Sequence, residues 1–138
     1  MQGNISLNYS PNFSTSKRID KNIKFIIIHY TGMSSESKAI KRLTNVKSKV
    51  SCHYLIKRNG NIVLMVPELY IAWHAGKSVW KQYNSLNKYS IGIEIQNKGH
   101  KFGYQNFTKC PLPGRGEMKY KHHLGKITRA GMHPARGR

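Results

Sequence analysis

The sequence predicts an α/β domain built around one core, and three observations predict it. The first is Phe25-Ile26-Ile27-Ile28, an unbroken apolar run that ends at His29, with Thr31-Gly32 just beyond. Its β-branched isoleucines fit a central strand buried on both faces. The second is a helix signal, in which Ser34-Ser35-Glu36 supplies a serine cap and an acid in the first turn. The third is a pair of later strand signals, the Asn59-Gly60 hairpin and the alternation of Ser90 through Gln96.

Each element follows in order. Residues 1–20 are rich in Ser and Asn and read as an extended arm, with Phe13 a candidate to tuck onto the domain. The first strand covers roughly Ile23–His29. After the serine cap, Ala39, Ile40, Leu43 and Val46 recur at helical spacing, so a helix of about three turns covers one face of the sheet. The second strand is Val50–Arg58, and Asn61–Val66 returns from the Asn-Gly turn until Pro67, which lacks an N–H, stops it. Ile71 through Gly76 form an aromatic loop carrying Trp73 and His74, and Lys77–Tyr89 read as irregular. In the last strand Ile91, Ile93 and Ile95 point one way, and Ser90, Gly92, Glu94 and Gln96 the other. Asn106-Phe107-Thr108 looks like the cap of a second helix, but Pro111 and Pro113 follow it.

The texture changes from Lys109. Over residues 109–138 the only Ile, Leu or Val are Leu112, Leu124 and Ile127, and eight Lys and Arg face one acid, Glu117. Low hydrophobicity with high charge predicts an irregular, disordered basic tail. The whole chain of 138 residues carries a net charge of +19, with 24 Lys and Arg against five acids. Such a field favours polyanions and says nothing about fold. Cys52 and Cys110 form no CxxC pair and imply no disulfide framework. Residues 1–20 hold no apolar signal segment, and no apolar run is long enough to span a bilayer. The expectation is a monomeric, cytoplasmic chain, with a cell-envelope location left open.

Four residues carry the candidate chemistry. His29 ends a buried strand, the place where open α/β sheets bind ligands, and is a metal ligand, a base or a core residue. His53 reads as a core histidine bonded to a neighbouring backbone group. For His74 a substrate-facing and a structural role weigh equally. Glu94 lies among three isoleucines in a chain with five acids, on a face cleared by Gly92, and reads as functional.

In order along the chain stand Tyr-Ser-Pro-Asn-Phe, Ile-Ile-Ile-His-Tyr-Thr-Gly, Val-Ser-Cys-His-Tyr-Leu-Ile-Lys-Arg-Asn-Gly, Ala-Trp-His-Ala-Gly-Lys-Ser and Asn-Lys-Tyr-Ser-Ile-Gly-Ile-Glu-Ile. Together they resemble the type 2 zinc N-acetylmuramoyl-L-alanine amidases, relatives of phage amidase lysozymes and peptidoglycan recognition proteins. The resemblance covers about residues 9–108. It implies a mixed central sheet flanked by helices, with a zinc groove on one face. It further implies peptidoglycan or muropeptides as partner, and cleavage of the amide between N-acetylmuramic acid and L-alanine. His29 matches a zinc ligand, Glu94 the acid that activates the attacking water, and His74 with Trp73 the loop bordering the substrate groove. Cys52 stands where some members have a tyrosine.

The departure lies at the C-terminus. The family's long helix, second zinc histidine and Lys-x-Asp-Pro-Gly stretch have no counterpart after Thr108, and Asp20 is the only aspartate. No motif assigns His122, His123 or His133 to the missing ligands. The expected organisation is an arm (1–20), an incomplete amidase domain (21–108) and a basic tail (109–138), with impaired turnover. The rival readings are a non-catalytic peptidoglycan-binding remnant, and a basic nucleic-acid-binding protein whose affinity falls steeply with salt.

Overall fold

The computed structural model describes residues 4–98. Its strands are β1 (Ile5–Leu7), β2 (Phe13–Ser14), β3 (Phe25–Tyr30), β4 (Tyr54–Ile56), β5 (Ile62–Leu64), β6 (Ile71–Ala72), β7 (Val79–Trp80), β8 (Tyr83–Asn84) and β9 (Ser90–Ile95). One α-helix, α1 (Glu36–Thr44), stands between β3 and β4. The main sheet has the order β1-β5-β4-β9-β3. It is mixed: β4 and β5 are antiparallel, while β3–β9, β4–β9 and β1–β5 are parallel. The expected mixed sheet is therefore present.

Three expectations are corrected. Among the described residues β3 is an edge strand rather than a central one, paired only with β9. Its outward isoleucines Ile26 and Ile28 are accordingly only half-buried. The 1–20 arm is extended, but it is stitched into the domain. β1 adds a strand beside β5, and Asn12 Nδ2 donates to the Asn45 and Val50 carbonyls, each at 2.9 Å. The Lys77–Tyr89 segment is not irregular, since it holds the β7–β8 ribbon and a 3₁₀ turn over Leu86–Tyr89. Apolar periodicity could not find a two-residue ribbon whose side chains are mostly exposed.

The helix begins as its sequence dictates, with Ser35 Oγ accepting from the Lys38 N–H at 3.4 Å. It ends two residues short of Val46. Asn45 takes an extended conformation, so Val46 leaves the helical stripe and is 66% exposed. Ala39 and Leu43 remain buried. Leu43 packs with Cys52, Leu55, Val63 and Met65, seating α1 on one side of the sheet. The strand expected at Val50–Arg58 narrows to Tyr54–Ile56 because the preceding residues bond outside the ladder. Ser51 N–H, for example, donates to the Trp73 carbonyl at 2.9 Å. At the hairpin Gly60 alone takes a positive φ, +84°, the conformation glycine adopts at no steric cost.

The opposite side of the sheet is a second core of Ile56, Ile62, Ile91 and Ile93. A third, smaller cluster joins Ile27 to Ala75 and Leu86, which ties the His74 loop to β3. The helix expected after Asn106 and the basic tail from Lys109 lie outside the described residues. No helix among the described residues is long and apolar enough to cross a membrane.

Candidate active site

The alternation of β9 decides the site. Pairing with β3 sets Ile91 beside Ile26 and Ile93 beside Ile28 on one face, and sets Glu94 beside His29 on the other. Paired residues of neighbouring strands share a face. Both His29 and Glu94 are the last residue but one of parallel strands, so they meet at the carboxyl end of the sheet, where α/β folds place their ligands.

His74 arrives from the loop after β6 and lies flat against Gly92. A Cβ built on Gly92 would sit 2.3 Å from His74 Cγ, inside the ring's van der Waals envelope. The glycine is thus a clearance for the imidazole. Two backbone amides fix that loop: the His74 and Ala75 N–H groups donate to Asn87 Oδ1 at 3.1 and 2.7 Å. The ring then makes two polar contacts. His74 Nδ1 lies 3.1 Å from His29 Nε2, and its Nε2 lies 3.2 Å from Ser90 Oγ. Trp73, the neighbouring residue, turns its indole N–H to Ser14 Oγ at 3.0 Å.

His53 behaves as the core histidine that was expected. Its Nδ1 accepts the Gly92 N–H at 2.9 Å, standing in for a strand carbonyl where β4 begins. The side chain is buried. Its other nitrogen lies 2.7 Å from Arg18 Nη2 and 3.2 Å from the Tyr70 carbonyl. Arg18 is a residue the sequence reading missed. It comes from the N-terminal stretch, is only 4% exposed, and donates to the carbonyls of Glu68, Asn87 and Ser90 at 2.7, 3.1 and 2.6 Å. Charged hydrogen bonds of that length hold three chain segments under the site. Asn87 and Ser90 were also missed as supports. Ser90 could have been found, because it shares the alternation face of Gly92 and Glu94.

Electrostatics keep this face uncharged. Burial lowers His29 to about 4. Burial, then the nearby Arg18 cation, lowers His53 to about 4. His74 is pushed well below its ordinary value by burial and then by His29, His53 and Arg18. Glu94 moves the other way, raised to about 8 by burial, with Arg42 opposing. Its Oε2 is enclosed and has no hydrogen-bond partner among the described residues. Cys52 is fully buried with its Sγ 3.9 Å from Met65 Sδ, and burial followed by Glu94 raises its thiol. It is an inert core thiol.

Neutral imidazoles beside an enclosed, unpartnered carboxylate oxygen suit a divalent cation, which would relieve the desolvation of Glu94. The described residues alone do not complete a metal site, since no group of three or more His, Cys, Asp or Glu converges among them.

Comparison with known proteins identifies the family and the fold. The profile of the N-acetylmuramoyl-L-alanine amidase family, Amidase_2, matches residues 19–113. The N-acetylmuramoyl-L-alanine amidase AmiD of Escherichia coli is 43% identical over 84 residues, which is 56% of this chain and 29% of AmiD. The chain thus spans less than a third of the length of that curated relative. A crystal structure of selenomethionine AmpD shares the fold at a TM-score of 0.57 and 24% identity, over 70% of this chain and 63% of that one. AmiD from E. coli, in complex with anhydro-N-acetylmuramic acid-L-Ala-D-γ-Glu-L-Lys, superposes at a TM-score of 0.50 and 41% identity, over 56% of this chain and 32% of that one. With more than half of its length matched by the family profile, this chain belongs to the N-acetylmuramoyl-L-alanine amidase family.

Proposed function

We propose that this chain hydrolyses the amide between N-acetylmuramic acid and L-alanine in muropeptides, with turnover below that of its relatives. The observation that carries the reading is the pairing of His29 with Glu94 on one face at the carboxyl end of the sheet. Family membership supports it, as does the likeness to AmiD, whose structure is a complex with the substrate anhydro-N-acetylmuramic acid-L-Ala-D-γ-Glu-L-Lys.

In this reading His29 is one zinc ligand. A bound zinc supplies Lewis-acid polarisation of the scissile carbonyl. Glu94 is the general base: ionised once a bound cation relieves its burial, its Oε2 would take the proton of the attacking water and return it to the leaving amine of L-alanine. Trp73 and the loop of His74 border the groove that receives the stem peptide, with Trp73 anchored to β2 through Ser14. The expectation of reduced turnover rests on the ligand count within these 138 residues. A catalytic zinc uses three protein ligands, and residues 109–138 contain no aspartate to match the family's Lys-x-Asp-Pro-Gly stretch.

The test is release of stem peptide from anhydromuramyl peptides by the purified full chain with added zinc. Slow release is expected, abolished in Glu94→Gln with the fold intact. Binding of muropeptide without release by the unmodified chain would favour the binding-remnant reading. Equal release by Glu94→Gln would remove Glu94 from the chemistry.

A further inference from the structure

The hydrogen bonds around His74 run in one direction, and the starting point is Ser90. Its hydroxyl donates to the Leu86 carbonyl at 2.6 Å. A serine hydroxyl has one proton, so at the 3.2 Å contact between Ser90 Oγ and His74 Nε2 the imidazole is the donor. A neutral imidazole carries one N–H. His74 Nδ1 is therefore bare, and it accepts from His29 Nε2 at 3.1 Å. The proton of His29 is thereby fixed on Nε2.

We infer that Ser90 and His74 are positioning residues that lock His29 in its Nε2–H tautomer, so that Nδ1 is the atom His29 presents to a metal. The inference rests on the proposed role of His29 and adds the atom and the device that selects it. Nothing in the chain of bonds leaves His74 a polar atom for substrate, because both of its ring nitrogens face protein groups. The arrangement matches a general feature of metal sites: a ligating histidine gives its second N–H to an oriented acceptor, which sets the tautomer and the ring plane. Here the acceptor is another histidine, held in turn by a serine that belongs to the same strand as Glu94. Gly92, on the same face of that strand, supplies the clearance without which the His74 ring could not lie within reach of both partners. Arg18 and Asn87 support the same relay from below: Arg18 binds the Ser90 carbonyl, and Asn87 holds the His74 amide.

The tautomer is read directly from ring nitrogen shifts of the full chain labelled with ¹⁵N-histidine, at neutral pH in the presence of a chelator. The His29 signal is identified by its loss in His29→Gln. Expected is an Nε2–H, bare-Nδ1 pattern for His29 in the unmodified chain and in Ser90→Thr, which keeps the hydroxyl. Ser90→Ala should give a mixed pattern and weaken zinc binding about 10- to 100-fold. An Nδ1–H pattern in the unmodified chain overturns the inference, as does a folded Ser90→Ala with His29 unchanged. Should Ser90→Ala fail to fold, the unmodified chain and Ser90→Thr still decide. Because the spectrum is taken without metal or substrate, its failure leaves the proposed function standing. A correct tautomer without any zinc binding would instead strike the proposed function.

Discussion

The two faces of β9 differ in how they are made. One is isoleucine throughout: Ile91 and Ile93 are 6% and 2% exposed and pack with Ile56 and Ile62. The other is Ser90, Gly92 and Glu94, and it is filled from a distance by His29, His53 and His74. The apolar face needs only local pattern and burial, so many sequences could build it. The polar face needs particular atoms, and each is placed by a residue remote in sequence. Arg18 reaches Ser90 across 72 positions, and His53 reaches Gly92 across 39. Stability and chemistry are thus separated by one step of a two-residue period.

Neighbouring substitutions on opposite faces should separate the two properties. Glu94→Gln keeps size and shape but removes the base, so turnover should fall about 10²- to 10⁴-fold, with no fall in the unfolding midpoint. Ile93→Ala, one position away, should do the reverse. Truncating a buried isoleucine costs about 2–5 kcal/mol, seen in urea unfolding, while the activity of molecules still folded should persist. If Ile93→Ala abolished turnover without loss of stability, the faces would not be independent.

Gly92→Ala asks whether the polar face tolerates one extra methyl. The added Cβ meets the His74 ring at 2.3 Å, so the ring must leave its place between Ser90 and His29. Overpacking of this kind costs about 1–3 kcal/mol. The informative readout is the loss of the His74 interactions at unchanged secondary structure, visible as shifts of the His29 and His74 ring signals. Unmoved ring signals would mean that the glycine is not the clearance it is taken to be.

The contrast also explains what the sequence could reveal. The isoleucine face, the side on which Glu94 lies, the Ser35 cap and the seat of Leu43 all follow from short periodicities. The pairing of His29 with Glu94 was legible only as two strand ends that could meet, because register between strands 60 residues apart is set by tertiary packing. The strand pairing of the arm was missed because three-residue β1 gains its stability from pairing with β5, and its own side chains stay exposed. Arg18 was hidden for a related reason. It reads as one more cation in a chain with 24 Lys and Arg, and only backbone carbonyls brought together by the fold single it out.

The smallest expected effect is on the pH profile of stability in metal-free protein, where the groups of the polar face oppose one another. His29 and His53 titrate near 4 when folded and near 6.5 when unfolded. Between those values the unfolded chain binds more protons, so their contribution is present above about 6.5 and is lost as pH falls toward 4. Glu94 has the opposite sign, since it titrates near 8 when folded against an ordinary value near 4.5. The folded state holds its proton while the unfolded state has lost it, so stability falls as pH rises from about 4.5 through 8. Below about 6.5 the histidines outnumber the single acid and stability should rise with pH. Above about 6.5 Glu94 is the group of this face among the described residues that still titrates differently in the two states up to about 8, and its contribution should make stability decline until about pH 8. Urea midpoints measured with a chelator should therefore peak near pH 6.5. In Glu94→Gln the alkaline decline should flatten while the acid limb remains. A decline of equal steepness in Glu94→Gln would assign it to another group and deny that the carboxyl is held protonated on this face.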